Sequence, residues 1–148
     1  MKRFAINTSY ASVIGYLKIL NERLTTIRSN YVDDTGVGNA VVEEMIAAGI
    51  ANIKGTTFTL QSKEEMATIL REKMRKGELK IPYVPARHLD DIDLTAELNV
   101  EKYQLMKTGR VQFSHSVDCH DDIFWSCCLA CYAAVQAPLP GVGAVMPR

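Results

Sequence analysis

Short apolar runs alternate along this chain with longer stretches in which apolar residues recur at helical spacing. Short runs are typical of strands, and recurrence every three or four residues is typical of helices that pack on a core. The pattern predicts, in order, a strand at 4–6, a helix at 10–24, a strand at 27–33, a helix at 39–48, a strand at 50–60 and a helix at 63–77. Ser9 is expected to cap the first helix, and Ser62 with Glu65 has the sequence of a capping box for the third.

The second half of the chain predicts a hairpin and one interior helix. Its predicted elements are a short strand at 79–82, an irregular stretch after Pro85, hairpin strands at 103–106 and 110–113, a helix at 123–135 and an extended or disordered tail at 137–148. Gly109 is the expected positive-φ residue of the hairpin, and Asp121 opens the helix. Because that helix is apolar on almost every side, we expect it in the interior.

Alternation of strands and helices predicts an α/β fold in which helices cover both faces of a sheet, and the hairpin makes this predicted sheet a mixed one. With 148 residues, 47% of them hydrophobic, the chain can bury one core, so residues 1–136 are predicted to form one domain. No apolar run approaches the roughly 20 residues of a membrane span, and residues 1–4 lack the apolar region of a secretory signal. We therefore expect a soluble cytoplasmic protein without a membrane partner.

Charge and cysteine content argue against two simple interpretations, which are a strongly basic nucleic-acid binder and a zinc site. Lys and Arg total 17 and Asp and Glu total 17, so net charge does not support a strongly basic nucleic-acid binder, and any DNA contact must come from local clusters. Cys127, Cys128 and Cys131 lie within the predicted interior helix. Cys128 and Cys131 match C-x-x-C, but no second pair completes a zinc site, and thiols among apolar residues behave as small hydrophobes.

Two acidic clusters stand where the chain is predicted to enter a helix. Asp33 and Asp34 end a predicted strand before the glycine-rich turn 35–38, and residues 118–122 precede the interior helix. Ligands of open α/β sheets gather beyond the carboxyl ends of strands, so Asp33 is placed to meet a cation. Carboxylates suit Mg²⁺, and a pair of such ions can promote hydrolysis of a phosphodiester. The alternative is that these acids are ordinary turn residues and helix caps.

Four blocks of sequence, taken in order, resemble one known family. They are Tyr31 to Met45, Gly55 to Met66, Leu79 to Pro82 and His120 to Ile123. Together they resemble the nuclease domain of viral large terminase subunits, over about residues 8–136. The resemblance implies a ribonuclease H-like mixed sheet flanked by helices. It also implies an endonuclease that uses Mg²⁺ or Mn²⁺, in a two-metal site, to cut double-stranded DNA for genome packaging.

The same resemblance implies that parts of the family pattern are missing. The family's first acid lies on an upstream strand, and residues 1–7 contain no Asp or Glu, so the domain is expected to be N-terminally truncated. No G-x-x-x-x-G-K-[ST] motif occurs in the chain. A terminase ATPase segment and other packaging proteins are therefore expected as partners.

The resemblance assigns roles to individual acidic residues. Asp33 would be the metal ligand on the central strand. Either Asp121 or Asp122 would be the ligand on the C-terminal helix, and the other would cap that helix. His120 would be an alternative ligand or would hold a ligand in place.

Basic and aromatic residues near these acids also have predicted roles. Lys54 and Lys63 are predicted to contact DNA phosphates, Lys63 because it begins a helix near the functional edge of the sheet. Trp125, the one tryptophan of the chain, is expected to pack in the interior rather than stack on a base.

Two functions remain open from the residues and the resemblance. The first is a metal-dependent endonuclease that needs a further segment or partner, and the second is a non-catalytic DNA-binding or assembly module. A phosphate-binding turn at residues 36–40 is a third interpretation, which the neighbouring carboxylates oppose.

Overall fold

Helices and strands alternate in the part of the chain that the computed structural model describes, which comprises residues 4–5, 7–24, 27–36, 38–81, 94–114 and 121–137. In chain order the elements are α1 (Tyr10–Arg23), β1 (Asn30–Asp33), α2 (Gly38–Ala47), β2 (Ile53–Thr56), α3 (Leu60–Arg75), α4 (Leu94–Val100), β3 (Lys102–Leu105), β4 (Val111–Ser114) and α5 (Asp122–Gln136). None of the helices within these ranges is long and apolar enough to cross a membrane.

β1 and β2 form a parallel pair, and α2 connects them. Their register places Asn30 opposite Ile53 and Asp33 opposite Thr56. A parallel pair needs a crossover connection, which α2 supplies, so the α/β class predicted from the sequence is confirmed. Because the two strands run in the same direction, their carboxyl ends lie at one edge, where Asp33 and Thr56 are neighbours.

A core of apolar side chains lies between α3 and α5. The buried members of this α3–α5 core are Met66, Leu70, Trp125, Cys128 and Cys131. The apolar character of α5 predicts an interior helix, and its buried residues confirm this prediction. Burial raises the pKa of the Cys128 thiol well above its ordinary value, so the thiol stays protonated and packs as an apolar group.

A second, smaller core joins α1 and α2 to the parallel strands. Ile14 and Met45 are buried there, and Val32 and Ile53 pack against them. Ser9 caps α1 as predicted, since its hydroxyl accepts a hydrogen bond from the Ser12 amide at 3.2 Å.

The predicted β-hairpin is present, but it forms a sheet of its own. β3 and β4 pair in antiparallel register, and Gly109 has the expected positive φ, 78°. Among the described residues the strands therefore form two separate two-stranded sheets, and the prediction of a single mixed sheet is wrong for this part of the chain. The cause is packing: the Phe113 ring lies edge-on against Trp125, 5.5 Å between centroids, so the hairpin docks on the α3–α5 core.

Several predicted element boundaries are also wrong. Phe4 and Ala5 are not in a strand, and neither are residues 79–81. The Phe4 ring packs edge-on against Tyr16 instead, and Leu79 packs against the α3–α5 core. α4 occupies part of the stretch that the sequence predicts to be irregular. Beyond Ala137, the predicted tail lies outside the described residues.

α3 begins at Leu60, before its predicted start. Thr59 is the N-cap, and Thr59 and Ser62 each accept a hydrogen bond from the other's backbone amide, at 3.1 and 2.8 Å. Ser62 Oγ also donates to the Thr57 carbonyl at 2.7 Å, which ties the helix to the end of β2. The predicted capping box of Ser62 and Glu65 is therefore wrong, because Ser62 is the partner of Thr59.

Replacing Met66 with alanine should destabilise the fold strongly, because this side chain is 0% exposed in the α3–α5 core. Deleting a buried methionine side chain leaves a cavity and typically costs about 2–5 kcal/mol. Urea denaturation followed by circular dichroism measures the free energy of unfolding. Met74→Ala in the same helix is the control, since Met74 is 46% exposed and its loss should stay within about 0.5 kcal/mol. Equal losses in the two variants would contradict this core.

Candidate metal and nucleic-acid site

Asp33 is the last residue of β1, and a tight turn holds its carboxylate. Its Oδ1 accepts hydrogen bonds from the Thr35 amide at 2.9 Å and from the Thr35 hydroxyl at 2.6 Å. Oδ2 accepts none from the described residues, and the side chain is exposed. The turn interpretation therefore accounts for Oδ1 of this exposed carboxylate but not for Oδ2.

The turn after Asp33 depends on two glycines. Gly36 has a positive φ of 70°, which a residue with a side chain adopts at a cost. A Cβ atom on Gly38 would lie 2.6 Å from the Asp33 carbonyl oxygen, which is backbone and cannot rotate away. This close approach requires a glycine at position 38, and it sets where α2 leaves the strand.

Asp34 is bound to β2 and serves a different purpose from Asp33. Its Oδ1 accepts a hydrogen bond from the Thr57 hydroxyl at 2.8 Å, and its amide donates to the Thr56 carbonyl at 3.2 Å. A Cβ atom on Gly55 would overlap Asp34 Oδ2, so the carboxylate lies directly across the β2 backbone. Asp34 therefore joins the two strands beyond their ladder.

A continuous series of contacts connects Asp33 with the start of α5. Thr35 Oγ1, which donates to Asp33, accepts a hydrogen bond from the Phe58 amide at 2.9 Å. The Phe58 ring lies 5.4 Å from the Trp125 ring, between centroids. Trp125 Nε1 in turn donates to Asp121 Oδ2 at 2.8 Å. Asp33 and Asp121 are therefore linked through the Thr35 hydroxyl, Phe58 and the Trp125 ring.

The face of β1 that carries Asp33 is the face that α5 covers. Side chains two residues apart on a strand project to the same side, so Tyr31 and Asp33 share a face. The Tyr31 ring meets Tyr132 of α5 edge-on at 5.5 Å between centroids, and Ser29 Oγ donates to the Ala133 carbonyl at 3.5 Å. β1 therefore directs Asp33 to the side of the sheet where α5 lies.

The start of α5 is capped from outside the helix. Asp121 is the N-cap residue, but its side chain makes no capping hydrogen bond. The Ile123 amide donates instead to Glu97 Oε2 of α4 at 3.3 Å. Glu97 is only 8% exposed, so a buried carboxylate meets the positive end of the α5 dipole.

This arrangement bears on one predicted role. The sequence predicts that one of Asp121 and Asp122 caps α5; the side chain of Asp121 makes no capping hydrogen bond, because it accepts from Trp125, and Glu97 accepts from the Ile123 amide. Asp122 lies in the first turn and is exposed. Glu97 carries no local signal of this role, because its partner is 26 residues away along the chain.

Both lysines predicted to contact DNA lie over aromatic rings. Lys63 Nζ is 4.5 Å from the Trp125 ring centroid and 5.5 Å from that of Phe58. Lys54 Nζ is 5.6 Å from the centroid of Tyr31, its neighbour in the β1–β2 register. An ammonium group over an aromatic face is attracted by the ring and held in place. Lys63 thus lies beside the series of contacts that connects Asp33 with Asp121.

The acids of this region supply the oxygen donors that a divalent ion prefers, but too few of the described acids lie together to form a complete metal site. Asp33 and Asp121 offer carboxylate oxygens, which hard ions such as Mg²⁺ prefer. No group of three or more His, Cys, Asp or Glu able to hold a metal occurs within the ranges that the structure covers. His120, predicted as a ligand or the partner of a ligand, lies outside those ranges.

Comparison with solved structures identifies clear neighbours of this fold. The large terminase nuclease of the thermophilic phage G20c superposes with a TM-score of 0.68 and 26% sequence identity, over 89% of this chain and 64% of that nuclease. Structures of the G20c nuclease with bound cobalt and with bound magnesium each give a TM-score of 0.64 and 28% identity, over 84% of this chain and 62% of theirs. The chain thus spans less than two thirds of the length of these structures.

Comparisons of sequence alone give no match. No protein-family profile matches the chain, and no curated protein is detectably related to it by sequence.

Replacing Gly38 with alanine should destabilise the protein by about 1–3 kcal/mol, because the new Cβ would lie 2.6 Å from the Asp33 carbonyl oxygen and the turn would have to open. Thermal unfolding followed by calorimetry measures the change. Gly15→Ala in α1 is the control: nothing lies within 4 Å of its added Cβ, and a helical glycine gains up to about 1 kcal/mol when it becomes alanine. A Gly38→Ala protein as stable as the parent would contradict the tight turn.

Proposed function

We propose, from the terminase nuclease-like domain that this chain forms, that the protein is a metal-dependent endonuclease which cuts double-stranded DNA during viral genome packaging. The observation that carries this proposal is the linkage of Asp33, at the carboxyl end of β1, to Asp121, at the start of α5. Both acids come from elements of a fold shared with a phage terminase nuclease.

Asp33 and a carboxylate at the start of α5, from Asp121 or Asp122, would hold Mg²⁺ or Mn²⁺, with His120 as a further candidate. When bound, such ions activate water and stabilise the leaving oxygen of a phosphodiester. The oxygen donors suit hard ions, and the similar G20c nuclease has been crystallised with bound magnesium and with bound cobalt. Thr35 holds Asp33 through two hydrogen bonds to Oδ1, so the carboxylate keeps its orientation without the ion.

Lys63 and Lys54 would neutralise phosphates of the bound DNA. Each ammonium group is supported by an aromatic ring, Trp125 for Lys63 and Tyr31 for Lys54, which limits the entropy lost on binding. The chain is balanced in charge overall, so such local groups must supply the electrostatic attraction. An ATPase segment of the packaging motor is the second partner in this proposal.

The alternative function is a non-catalytic DNA-binding or assembly module with the same fold. The two functions differ in one property, which is the need for a divalent ion. Metal binding and metal-dependent nicking of plasmid DNA therefore separate them.

Replacing Asp33 with asparagine should weaken Mn²⁺ binding by at least about tenfold, because a charged oxygen ligand is lost. Isothermal titration calorimetry with Mn²⁺ measures the affinity. Asp34→Asn is the matched control: its amide oxygen can still accept the hydrogen bond from Thr57, and its side chain lies across β2, so metal affinity should not change. No Mn²⁺ binding by the parent protein in the millimolar range, or equal binding by Asp33→Asn, would exclude the metal-dependent function.

Replacing Lys63 with methionine should weaken binding to double-stranded DNA and make it less dependent on salt. One lost phosphate contact lowers the slope of log affinity against log salt concentration by about 0.9. Methionine keeps the apolar stem over Trp125 and removes only the charge. Fluorescence anisotropy of a labelled duplex at several salt concentrations measures both quantities.

The control for this variant is Lys76→Met, which removes the same charge from an exposed position just beyond the other end of α3. Its salt slope should match that of the parent protein. If both variants lose the same affinity, Lys63 makes no specific phosphate contact.

A further inference from the structure

Trp125 connects the interior of the protein with one carboxylate of the candidate site. We infer that Trp125 is a positioning residue, whose indole N–H fixes the carboxylate of Asp121 so that this acid, rather than Asp122, is the α5 carboxylate oriented for a divalent ion. The inference rests on the proposed metal-dependent function and specifies which side chains of α5 prepare its site.

The indole is a rigid hydrogen-bond donor. Trp125 is 5% exposed, and three phenylalanine rings surround it, Phe58, Phe113 and Phe124, at centroid distances of 5.4, 5.5 and 5.1 Å. A ring packed on this many sides cannot change its rotamer without opening the core. Nε1 therefore points in one direction, and Asp121 Oδ2 lies 2.8 Å from it.

At the start of α5, another residue accepts the hydrogen bond that an N-cap aspartate ordinarily accepts. An aspartate at this position ordinarily accepts a hydrogen bond from the amide two or three residues on. Here Glu97 accepts from that amide, at Ile123, while the carboxylate of Asp121 turns to the indole. The helix start is thus stabilised by α4, and the carboxylate of Asp121 is held by a buried side chain of α5 instead of by a backbone amide of its first turn.

The hydrogen bond from Trp125 orients the Asp121 carboxylate in the way that hydrogen-bond partners outside the coordination sphere orient metal ligands. A hydrogen bond to one oxygen of a ligating carboxylate fixes the direction of the group, and removing such a partner typically lowers metal affinity by about 10–100-fold. Asp122 is exposed in the first turn of α5, whereas the indole N–H donates to Asp121. Loss of the indole N–H should therefore act through Asp121.

Trp125 is the only tryptophan in the sequence, so biosynthetic replacement of tryptophan changes this residue alone. Benzothienylalanine has nearly the shape of tryptophan but carries sulfur in place of the N–H group. The substituted protein should keep a similar unfolding temperature and bind Mn²⁺ at least about tenfold more weakly by calorimetry. In an Asp121→Asn background the substitution should have no further effect, whereas in an Asp122→Asn background it should keep its full effect.

These outcomes separate the inference from the proposed function. If the parent protein does not bind Mn²⁺, the proposed function fails and the inference fails with it. If the parent binds but the substituted protein has the same affinity, or if the effect couples to Asp122 instead of Asp121, the inference alone is overturned.

A second measurement uses the unsubstituted protein and does not depend on the folding of the variant. The single indole N–H gives one nitrogen–proton NMR resonance, which should move when Mg²⁺ is added and should move less in Asp121→Asn. An indole resonance that Mg²⁺ leaves unchanged, in a protein that calorimetry shows to bind the ion, overturns the inference.

Discussion

The burial of α5 is the constraint on which the arrangement of the other elements depends. This helix is apolar on almost every side, and water is a poor environment for it, so other elements must cover it. α3 packs along it through Met66 and Leu70, the hairpin adds Phe113, and β1 contacts it through Tyr31. The two strand pairs therefore approach the same helix from separate positions, and neither needs to pair with the other.

The candidate site forms where this buried helix meets polar surroundings. A helix end leaves backbone amides without partners, and a buried end must find acceptors for them. Glu97 supplies one from α4, close to the point where Phe58 brings the end of β2 against Trp125. Because Phe58 also donates to Thr35, the turn after β1 is attached to the same place. The site is thus a consequence of how the core closes around one end of α5.

Local signals in the sequence predict those features that depend on local chemistry. Ser9 caps α1, Gly109 takes the positive φ of the hairpin, and the strand ending at Asp33 stops where predicted. Each of these follows from a residue and its immediate neighbours.

Features with distant causes are predicted poorly. The separate hairpin sheet depends on Phe113 finding Trp125, and the role of Glu97 depends on an amide of another helix. No pattern within either segment contains this information, because the deciding partner belongs to a different part of the chain.

Four carboxylates illustrate the same distinction at the level of function. Asp33 is held by Thr35, Asp34 by Thr57, Asp121 by Trp125, and Glu97 accepts from a helix amide. As residues in a sequence they are interchangeable acids, and a motif can only state that acids gather there. The partner of each one determines whether it joins two strands, caps a helix or is held toward solvent in a fixed direction. Assigning chemistry to such a cluster therefore requires the donors around it, which are residues of exposed turns for Asp33 and Asp34 and buried residues of α5 for Asp121 and Glu97.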